Sequence, residues 1–149
     1  MQIRHFILVA LTLGFANSAL AGDPFVGTWK LNAEKSTGRI PTDEVVTIER
    51  RGQTLTVEVR VVTGALENQS FVIRYTSPAK GGAGKVEKGP YNGVSLKRFS
   101  SRELETTYLT DGKEARSTRA VVSKDGKTLT SSGGSTWTMV FERQPDPPR

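Results

Sequence analysis

Histidine and cysteine, the side chains behind much of enzyme chemistry, are almost missing from this sequence. Its 149 residues contain one histidine, His5, and no cysteine. Cysteine nucleophiles, disulfides, Cys/His zinc sites, histidine-ligated haem and Ser-His-Asp triads each lack a required residue once His5 is set aside. An enzyme would have to work with carboxylates, lysines, arginines and tyrosines alone.

Two local patterns resemble catalytic motifs, but a structural role explains them better. Glu103 and Glu105 lie two residues apart, as paired catalytic carboxylates sometimes do, yet beside Arg102 and Thr107 they are typical of a strand's solvent face. The glycine-rich segment 81–85 lacks the first glycine and the final Ser or Thr of a phosphate-binding loop. No loop gathers enough carboxylates for calcium. We therefore expect no enzymatic activity, no metal and no cofactor.

The first 21 residues have the three parts of a bacterial signal peptide. A short basic segment ending at His5 precedes an apolar run over 6–16, and the tripeptide Ala-Leu-Ala at 19–21 forms a cleavage site. The apolar run is too short to span a bilayer. We expect residues 1–21 to be cleaved on export, which would place the protein in the periplasm or outside the cell.

Alternation of apolar and polar side chains dominates the rest of the chain. Residues 54–62 (TLTVEVRVV) place a leucine and valines on one face and mostly polar side chains on the other, as in a strand with one dry and one wet face. No segment of ten or more residues has the apolar spacing of an amphipathic helix. The same pattern predicts about ten short strands, at 25–31, 44–50, 54–62, 68–76, 84–88, 93–99, 102–110, 114–122, 127–131 and 135–143.

Short turns join these strands. Four dipeptides supply the positive φ angles that tight hairpins need, namely RG at 51–52, DG at 111–112, DG at 125–126 and GG at 133–134. Connections this short make neighbours antiparallel, and closing a long meander removes its exposed edges. We predict one all-β domain over 22–143, an antiparallel up-and-down β-barrel of about 8–10 strands without a helical lid. We expect irregular chain at 32–43, a stretch rich in glycine and lysine at 77–91 in which 84–88 is only a weak strand, and a disordered tail at 144–149.

The opening strand has a structural meaning of its own. Gly27 has no side chain, so a neighbouring group can approach its backbone closely. Trp29 can plug one end of a barrel, and Arg143 on the last strand is the cation that can lie over its ring. We expect these three residues to be a structural signature rather than ligand contacts.

Both ends of the domain resemble a known family. The G-x-W core within 23–31 (DPFVGTWKL) is shared by the fatty-acid-binding proteins and the lipocalins, both members of the calycin group. The last strand at 140–143 (VFER) and the DGK at 111–113 are similar to segments of fatty-acid-binding proteins. The chain most resembles a lipocalin-like domain of secreted bacterial proteins, which implies a calycin barrel.

The resemblance also implies where an anion would be held. Fatty-acid-binding proteins hold a ligand carboxylate with an arginine on the third strand from the end and an Arg-x-Tyr pair on the last strand. Arg119, six residues on from Lys113, takes the first of these positions, whereas Met139 and Phe141 stand at the other two. Arg119 is thus the candidate anion anchor, and the alternative is an outward or internally paired arginine.

The predicted inner faces form a row of mainly apolar and aromatic side chains. This row either lines a pocket for a small lipophilic molecule or fills the barrel, and ten strands favour a cavity because larger barrels enclose a wider lumen. The candidate ligand-binding residues are Val57, Val59, Phe71, Ile73, Tyr75, Leu96, Tyr108, Arg119, Met139 and Phe141.

The favoured function is therefore binding, without catalysis, of a small hydrophobic or anionic amphipathic molecule by a secreted monomer. The net charge of +6 is scattered rather than clustered, so nucleic acid is not an expected partner. No segment after the signal peptide is apolar and long enough to span a membrane. The alternative is a solid-core barrel that acts as a protein-interaction or structural module.

Overall fold

The computed structural model describes residues 22–63 and 69–148, which form a closed, ten-stranded antiparallel barrel. Each strand pairs with its neighbours in sequence, and β1 pairs with β10 to close the ring. The strands are β1 (Gly27–Gly38), β2 (Asp43–Arg51), β3 (Thr54–Thr63), β4 (Gln69–Pro78), β5 (Gly82–Lys88), β6 (Gly93–Ser100), β7 (Glu103–Thr110), β8 (Lys113–Val122), β9 (Thr128–Gly133) and β10 (Trp137–Arg143). The predicted fold class is confirmed.

Two predictions concern the ends of the chain. The predicted signal peptide, 1–21, lies outside the described residues. Residues 144–148 have no regular secondary structure, although the backbone N–H of Gln144 donates to the carbonyl of Thr28 at 2.8 Å. No helix in the described part of the chain is long and apolar enough to cross a membrane.

Alternating burial along the strands produces the core. In β3, Leu55, Val57, Val59 and Val61 are buried, whereas the residues between them are partly or fully exposed. β-Branched side chains such as valine are stiff and pack well on a pleated surface, which favours a strand here. The lumen of the barrel is therefore lined by one of the two faces that the sequence pattern separates.

The first strand is longer than predicted. Residues 32–43 were expected to be irregular, but β1 continues to Gly38, which lies opposite Trp137 of β10. The register shifts between Asn32 and Thr37, where β1 advances five residues while β10 advances two. Alternation in the sequence stops at this irregular segment, although the pairing with β10 resumes after it.

The β7–β8 hairpin shows how the turn residues set the register. Asp111 and Gly112 both have positive φ angles, 51° and 77°, as a tight two-residue turn requires. Asn92 stabilises the turn, because its side-chain oxygen accepts from the N–H of Asp111 at 2.8 Å and its amide donates to the Asp111 carboxylate at 2.7 Å. This turn lies at the same end of the barrel as the start of β2.

The opposite end of the barrel is closed by the segment before β1. Phe25 and Trp29 are both fully buried, and the indole N–H of Trp29 donates to the carbonyl of Phe25 at 2.9 Å. The carboxylate of Asp23 forms a salt bridge with Arg98 and lies 3.7 Å from the guanidinium of Arg50. Two strands thus hold the plugging segment in place.

Arg143 lies over the ring of Trp29, as predicted from the sequence. The guanidinium carbon is 4.2 Å from the ring centroid. Its N–H groups donate at 2.6–2.7 Å to three backbone carbonyls, those of Pro24, Val26 and Gly126. Gly27 has a φ of 142°, and a side chain there would collide with the guanidinium. These contacts explain why glycine, tryptophan and arginine occur together in this structure.

Candidate functional site

The barrel encloses a cavity of about 580 Å³. Cavities of about 300–1,000 Å³ are typical of small-molecule sites. Phe25 and Phe141 lie among the buried side chains at its closed end. At the other end the lining includes three exposed side chains, Arg39, Phe71 and Arg116, so the cavity opens there to the surface.

One wall of the cavity is apolar. It is formed by β2, β3 and β4, whose lining side chains are mainly aliphatic: Val46, Ile48, Leu55, Val57, Val59, Val61 and Ile73. Burying apolar surface against such a wall contributes about 25 cal/mol per Å² removed from water. An aliphatic chain or ring system is the group that this wall would accept.

The wall formed by β7, β8 and β9 is more polar. Its lining includes Thr106 and Tyr108 of β7, Arg116 and Thr118 of β8, and Ser131 of β9. These side chains are also short, except for the tyrosine and the arginine. Because these side chains are short, they do not reach the valines of the opposite wall. A ten-stranded barrel is wide enough to leave a space between the two walls. The cavity is therefore amphipathic: the wall on β7–β9 has the most hydroxyl groups, and Glu44 and Tyr75 add polar groups on the strands of the other wall.

Three tyrosines link the two walls. The rings of Tyr75 and Tyr108 meet edge to face with centroids 5.9 Å apart, and Tyr91 stacks on Tyr108 at 4.7 Å. Burial raises the pKa of both Tyr75 and Tyr108, whose hydroxyls are hydrogen-bonded to each other, and Tyr75 is also hydrogen-bonded to Thr106. Both phenols therefore remain neutral at physiological pH and can donate or accept hydrogen bonds.

A carboxylate also lines the cavity. Glu44 of β2 is only 9% exposed, and its side chain lines the cavity. Burial raises its pKa to about 7, against the lowering influence of the positive charge of Arg116, and the neighbouring charge of Asp43 adds to the increase. At neutral pH the side chain therefore exchanges between its neutral and ionised forms.

Arg116 faces this carboxylate from another strand. Its guanidinium carbon lies 4.9 Å from the centroid of the Trp137 ring, a cation–π contact at the open end of the cavity. Arg116 pairs in register with Tyr108, and its charge opposes the increase in the pKa of that tyrosine. The lining thus combines the cation of Arg116, the carboxyl group of Glu44 and two tyrosine hydroxyls.

The structure brings nine of the ten sequence-predicted binding residues together. The lining includes Val57, Val59, Phe71, Ile73, Tyr75, Leu96, Tyr108, Met139 and Phe141. Eight of them are buried, whereas Phe71 is 42% exposed at the open end. Their binding role remains a prediction.

Arg119 is the exception, since it does not lie in the lumen. Its guanidinium pairs with the carboxylate of Glu103 at 2.7 Å on the outer surface and lies 4.1 Å from the centroid of the Phe99 ring. The inward placement predicted for Arg119 is wrong, and its alternative, an outward paired arginine, describes what the structure shows.

The error has a specific physical cause. Tyr108 pairs with Arg116, but Leu109 pairs with Glu114, so a bulge at Ala115 adds one residue to β8. Counting on from Lys113 crosses this bulge and reverses the faces. The burial beyond it is unambiguous, because Val122 is 1% exposed while Val121 is 42% exposed. The inward cation is therefore Arg116.

Glu44 was missed although the sequence contained a signal for it. In the strand predicted at 44–50, Val46 and Ile48 are apolar and share one face, and Glu44, two positions before Val46, must share that face. A glutamate in that position is unusual, because charged side chains are rarely buried without a partner. Extending the alternation by one step identifies it.

Comparisons with known proteins do not assign the chain to a family. Neither a scan against protein-family models nor a search of curated proteins finds a match. Within the described residues, no three Asp, Glu, His or Cys side chains are placed to hold a metal ion. The antiparallel barrel itself is compatible with a calycin fold.

Proposed function

We propose that this protein binds a small amphipathic molecule inside the barrel and does not transform it. The observation that carries the proposal is the cavity of about 580 Å³ with an apolar wall on β2–β4 and a polar wall on β7–β9. The apolar part of the ligand lies against the valines of β2 and β3, and its polar group lies near Arg116 and Tyr108 at the open end.

The sequence resemblance supports the same proposal. The G-x-W strand and the matching last strand are similar to lipocalin-like secreted domains of the calycin group, whose barrels carry small lipophilic ligands. The N-terminal segment of signal-peptide type agrees with a role in the periplasm or outside the cell. A monomer is sufficient for this function, because the described side chains of one chain line the cavity.

Binding can be tested with an environment-sensitive apolar dye, 1-anilinonaphthalene-8-sulfonate. We expect its fluorescence to rise when it is mixed with the purified protein and to fall again when decanoate or decanol is added. Dye that enters the cavity leaves water, and a competing lipophile displaces it. An unchanged signal would mean that the cavity does not take up lipophiles and would contradict the proposal.

A matched pair of variants tests whether the dye binds inside the barrel or on its outer surface. Ala120 lines the cavity, whereas Ala115 of the same strand is exposed. We expect Ala120→Phe to reduce dye affinity at least tenfold, because the added ring fills the lumen, and Ala115→Phe to leave it unchanged. Far-UV circular dichroism and a melting curve establish that both variants fold. Equal effects of the two variants would place the dye on the surface.

A further inference from the structure

The up-and-down topology gathers positive charge at the closed end of the barrel. Because neighbouring strands are antiparallel, every second turn lies at the same end. The four turns at the closed end, counted with the strand residues that flank them, contain five cations and two carboxylates: Arg51, Lys80, Arg102, Lys124 and Lys127, with Glu103 and Asp125. The described parts of the connections at the mouth are nearly balanced: Arg39, Lys88 and Lys113, with Asp43 and Asp111. Charge that is scattered in the sequence is therefore concentrated by the fold.

The closed-end cations, as we call the five basic residues of these turns, are not neutralised within the described barrel. None of them forms a salt bridge with another described residue. Of the two carboxylates, Glu103 is paired with Arg119 at 2.7 Å. Asp125 accepts hydrogen bonds from the hydroxyl of Ser123 and the backbone N–H of Lys127. An excess of positive charge thus faces solvent at this end.

The segments that enter and leave the barrel at the closed end do not cancel this excess. Asp23 is buried, forms a salt bridge with Arg98 and lies 3.7 Å from the guanidinium of Arg50, so its charge is already balanced. Asp146 of the tail follows Arg143 by three residues. These segments therefore contain at least as many cations as carboxylates.

Exposed apolar side chains lie beside the closed-end cations. Phe99 and Val121 are each 42% exposed, and they stand next to the last residues of β6 and β8, the strand ends that point to the closed end. Two cations contact the Phe99 ring, since the guanidinium carbon of Arg119 lies 4.1 Å and the ammonium nitrogen of Lys97 lies 5.1 Å from its centroid. The surface at this end is therefore both basic and partly apolar.

A shallow groove joins the two kinds of side chain. It has a volume of about 340 Å³ and lies between the β6–β7 and β8–β9 turns. Its lining includes the apolar Val121 and two of the closed-end cations, Arg102 and Lys124. Glu103 also lines it, but its carboxylate is paired with Arg119. A group that fits this groove has an anionic part beside an apolar part.

We propose that the closed end of the barrel docks on the surface of an anionic phospholipid bilayer. The closed-end cations lie against the headgroup phosphates, because each lysine or arginine near such a surface is attracted by its negative potential. Phe99 and Val121 enter the boundary between headgroups and acyl chains, where exposed apolar side chains leave water. The inference goes beyond the proposed cavity function and does not depend on it.

Other partners fit this surface less well. A second copy of the chain would bring the same positive end, and the like charges would repel each other. A soluble polyanion satisfies the cations but leaves Phe99 and Val121 in water. An anionic bilayer offers both a negative surface and an apolar layer beneath it. Docking in this orientation points the cavity mouth away from the bilayer, so the ligand is exchanged with the solution.

Co-sedimentation of the purified protein with lipid vesicles tests the docking. We expect binding to phosphatidylcholine vesicles that contain about one third phosphatidylglycerol, and at least tenfold weaker binding to phosphatidylcholine alone. Raising the NaCl concentration from about 0.05 M to about 0.5 M should weaken the binding at least tenfold, because salt screens surface charge. All proteins compared carry the same N-terminal segment, so its contribution is common to them.

A matched pair of double variants identifies the end of the barrel that binds. Lys124→Glu with Lys127→Glu changes the closed end, and Lys88→Glu with Lys113→Glu changes the mouth; all four lysines are exposed. Both pairs change the net charge by the same amount. We expect the first pair to weaken vesicle binding at least tenfold and the second by less than threefold. Far-UV circular dichroism and melting curves establish that both variants fold.

Substitutions at Phe99 test whether apolar side chains enter the bilayer. Phe99→Ala should weaken vesicle binding about threefold or more, because less apolar surface leaves water. Phe99→Trp should bind like the parent, and brominated phosphatidylcholine in the vesicles should quench its fluorescence more than that of the parent. Equal quenching in the two proteins would show that this ring stays in water.

Each outcome supports or overturns the docking. Binding that needs phosphatidylglycerol and is lost in the closed-end variant supports it. Equal losses in the two double variants overturn it, because the net charge alone would then govern binding. Binding to heparin that exceeds binding to vesicles and is unchanged in Phe99→Ala assigns the end to a soluble polyanion instead. Failure to bind vesicles overturns the docking and leaves the cavity proposal intact, since dye uptake tests the cavity separately.

Discussion

Glu44 shows at the scale of one residue how a carboxyl group that lines the cavity can cost stability. In the unfolded chain its carboxyl has an ordinary pKa near 4.5, whereas in the barrel burial raises it to about 7. Between these pH values the folded state holds a proton that the unfolded state has lost. The free energy of unfolding therefore falls as the pH rises from about 4.5 to 7, and the loss persists above pH 7.

Glu44→Gln is expected to remove this pH dependence. The variant should match the parent in stability near pH 4.5 and exceed it at pH 8 by up to about 3 kcal/mol, since one pKa unit corresponds to about 1.4 kcal/mol. Urea denaturation at the two pH values measures the difference. Glu49→Gln, at an exposed position of the same strand, should change stability little at either pH. Equal effects of the two substitutions would contradict the burial argument.

Arg143 illustrates the opposite case, a charged residue whose hydrogen bonds stabilise the fold. Its guanidinium donates to three carbonyls and covers Trp29, and the planar fork of an arginine is needed to reach all three. We expect Arg143→Lys to cost about 3–6 kcal/mol of unfolding free energy, because about two hydrogen bonds to a charged donor are lost. Arg143 does not line the cavity, so dye affinity should not change below the melting transition.

At the same scale, the sequence predicted the apolar part of the site better than the polar part. Val57, Val59 and Ile73 lie on uninterrupted strands, so alternation alone assigned their faces. Arg119 and Arg116 lie beyond a bulge, where counting along the chain fails by one residue. A register shift is produced by pairing with the neighbouring strand, and a single sequence does not contain that information.

Among the elements, turns were the easiest to predict and strand ends the hardest. The Asp-Gly pair at 111–112 has the positive φ angles that its residue types indicate. The far end of β1 was missed because its residues are largely polar and pair with β10 only after a shift in register. Turn chemistry is local, whereas strand length at a sheet seam depends on a partner that is distant in sequence.

The β7–β8 turn gives a prediction at the scale of the element. Gly112 has a φ of 77° and no atom near the position of an added side chain, so conformation rather than space limits substitution. We expect Gly112→Ala to destabilise the protein by about 1 kcal/mol and Gly112→Asn by less, because asparagine tolerates positive φ. Thermal unfolding of both variants tests this order. A larger loss for asparagine would mean that the turn is not limited by backbone conformation.

The closing segment before β1 is a second element with a measurable contribution. Phe25 is 1% exposed and seals the end of the barrel opposite the cavity mouth. Phe25→Ala should cost about 3–5 kcal/mol, the usual range for removing a buried aromatic ring. Phe99→Ala is the control, because that ring is exposed on the outer surface, and it should cost much less. Chemical denaturation curves of the two variants measure the difference.

At the scale of the whole molecule, the barrel is closed by pairing between the first and the last strand. β1 pairs with both β2 and β10, so the first and last strands hold the ring together and no strand in the described barrel has a free edge along its full length. A closed ring of this kind leaves an interior wide enough for a cavity. It also makes local opening difficult, since separating any pair of strands disturbs the pairing around the ring.

Two tryptophans report on the two ends of this ring. Trp29 lies at the closed end and Trp137 at the mouth, and the chain contains no other tryptophan. In single-tryptophan variants, Trp137→Phe and Trp29→Phe, we expect the fluorescence midpoint in urea to coincide with the midpoint from far-UV circular dichroism. Each variant is compared with its own dichroism curve, so a change in overall stability does not affect the test.

Coincident midpoints are expected because a closed barrel under about 150 residues unfolds as one cooperative unit. An early transition of Trp137 alone would show that the mouth opens while the closed end stays folded. Ligand uptake could then proceed through local opening, and the rate of dye entry would follow the stability of the mouth rather than the width of the cavity.

Cooperative unfolding instead requires the ligand to enter through the opening bordered by Arg39, Phe71 and Arg116. Under that condition, enlarging the side chain at Phe71 to tryptophan should slow dye entry without changing its affinity by more than a few-fold.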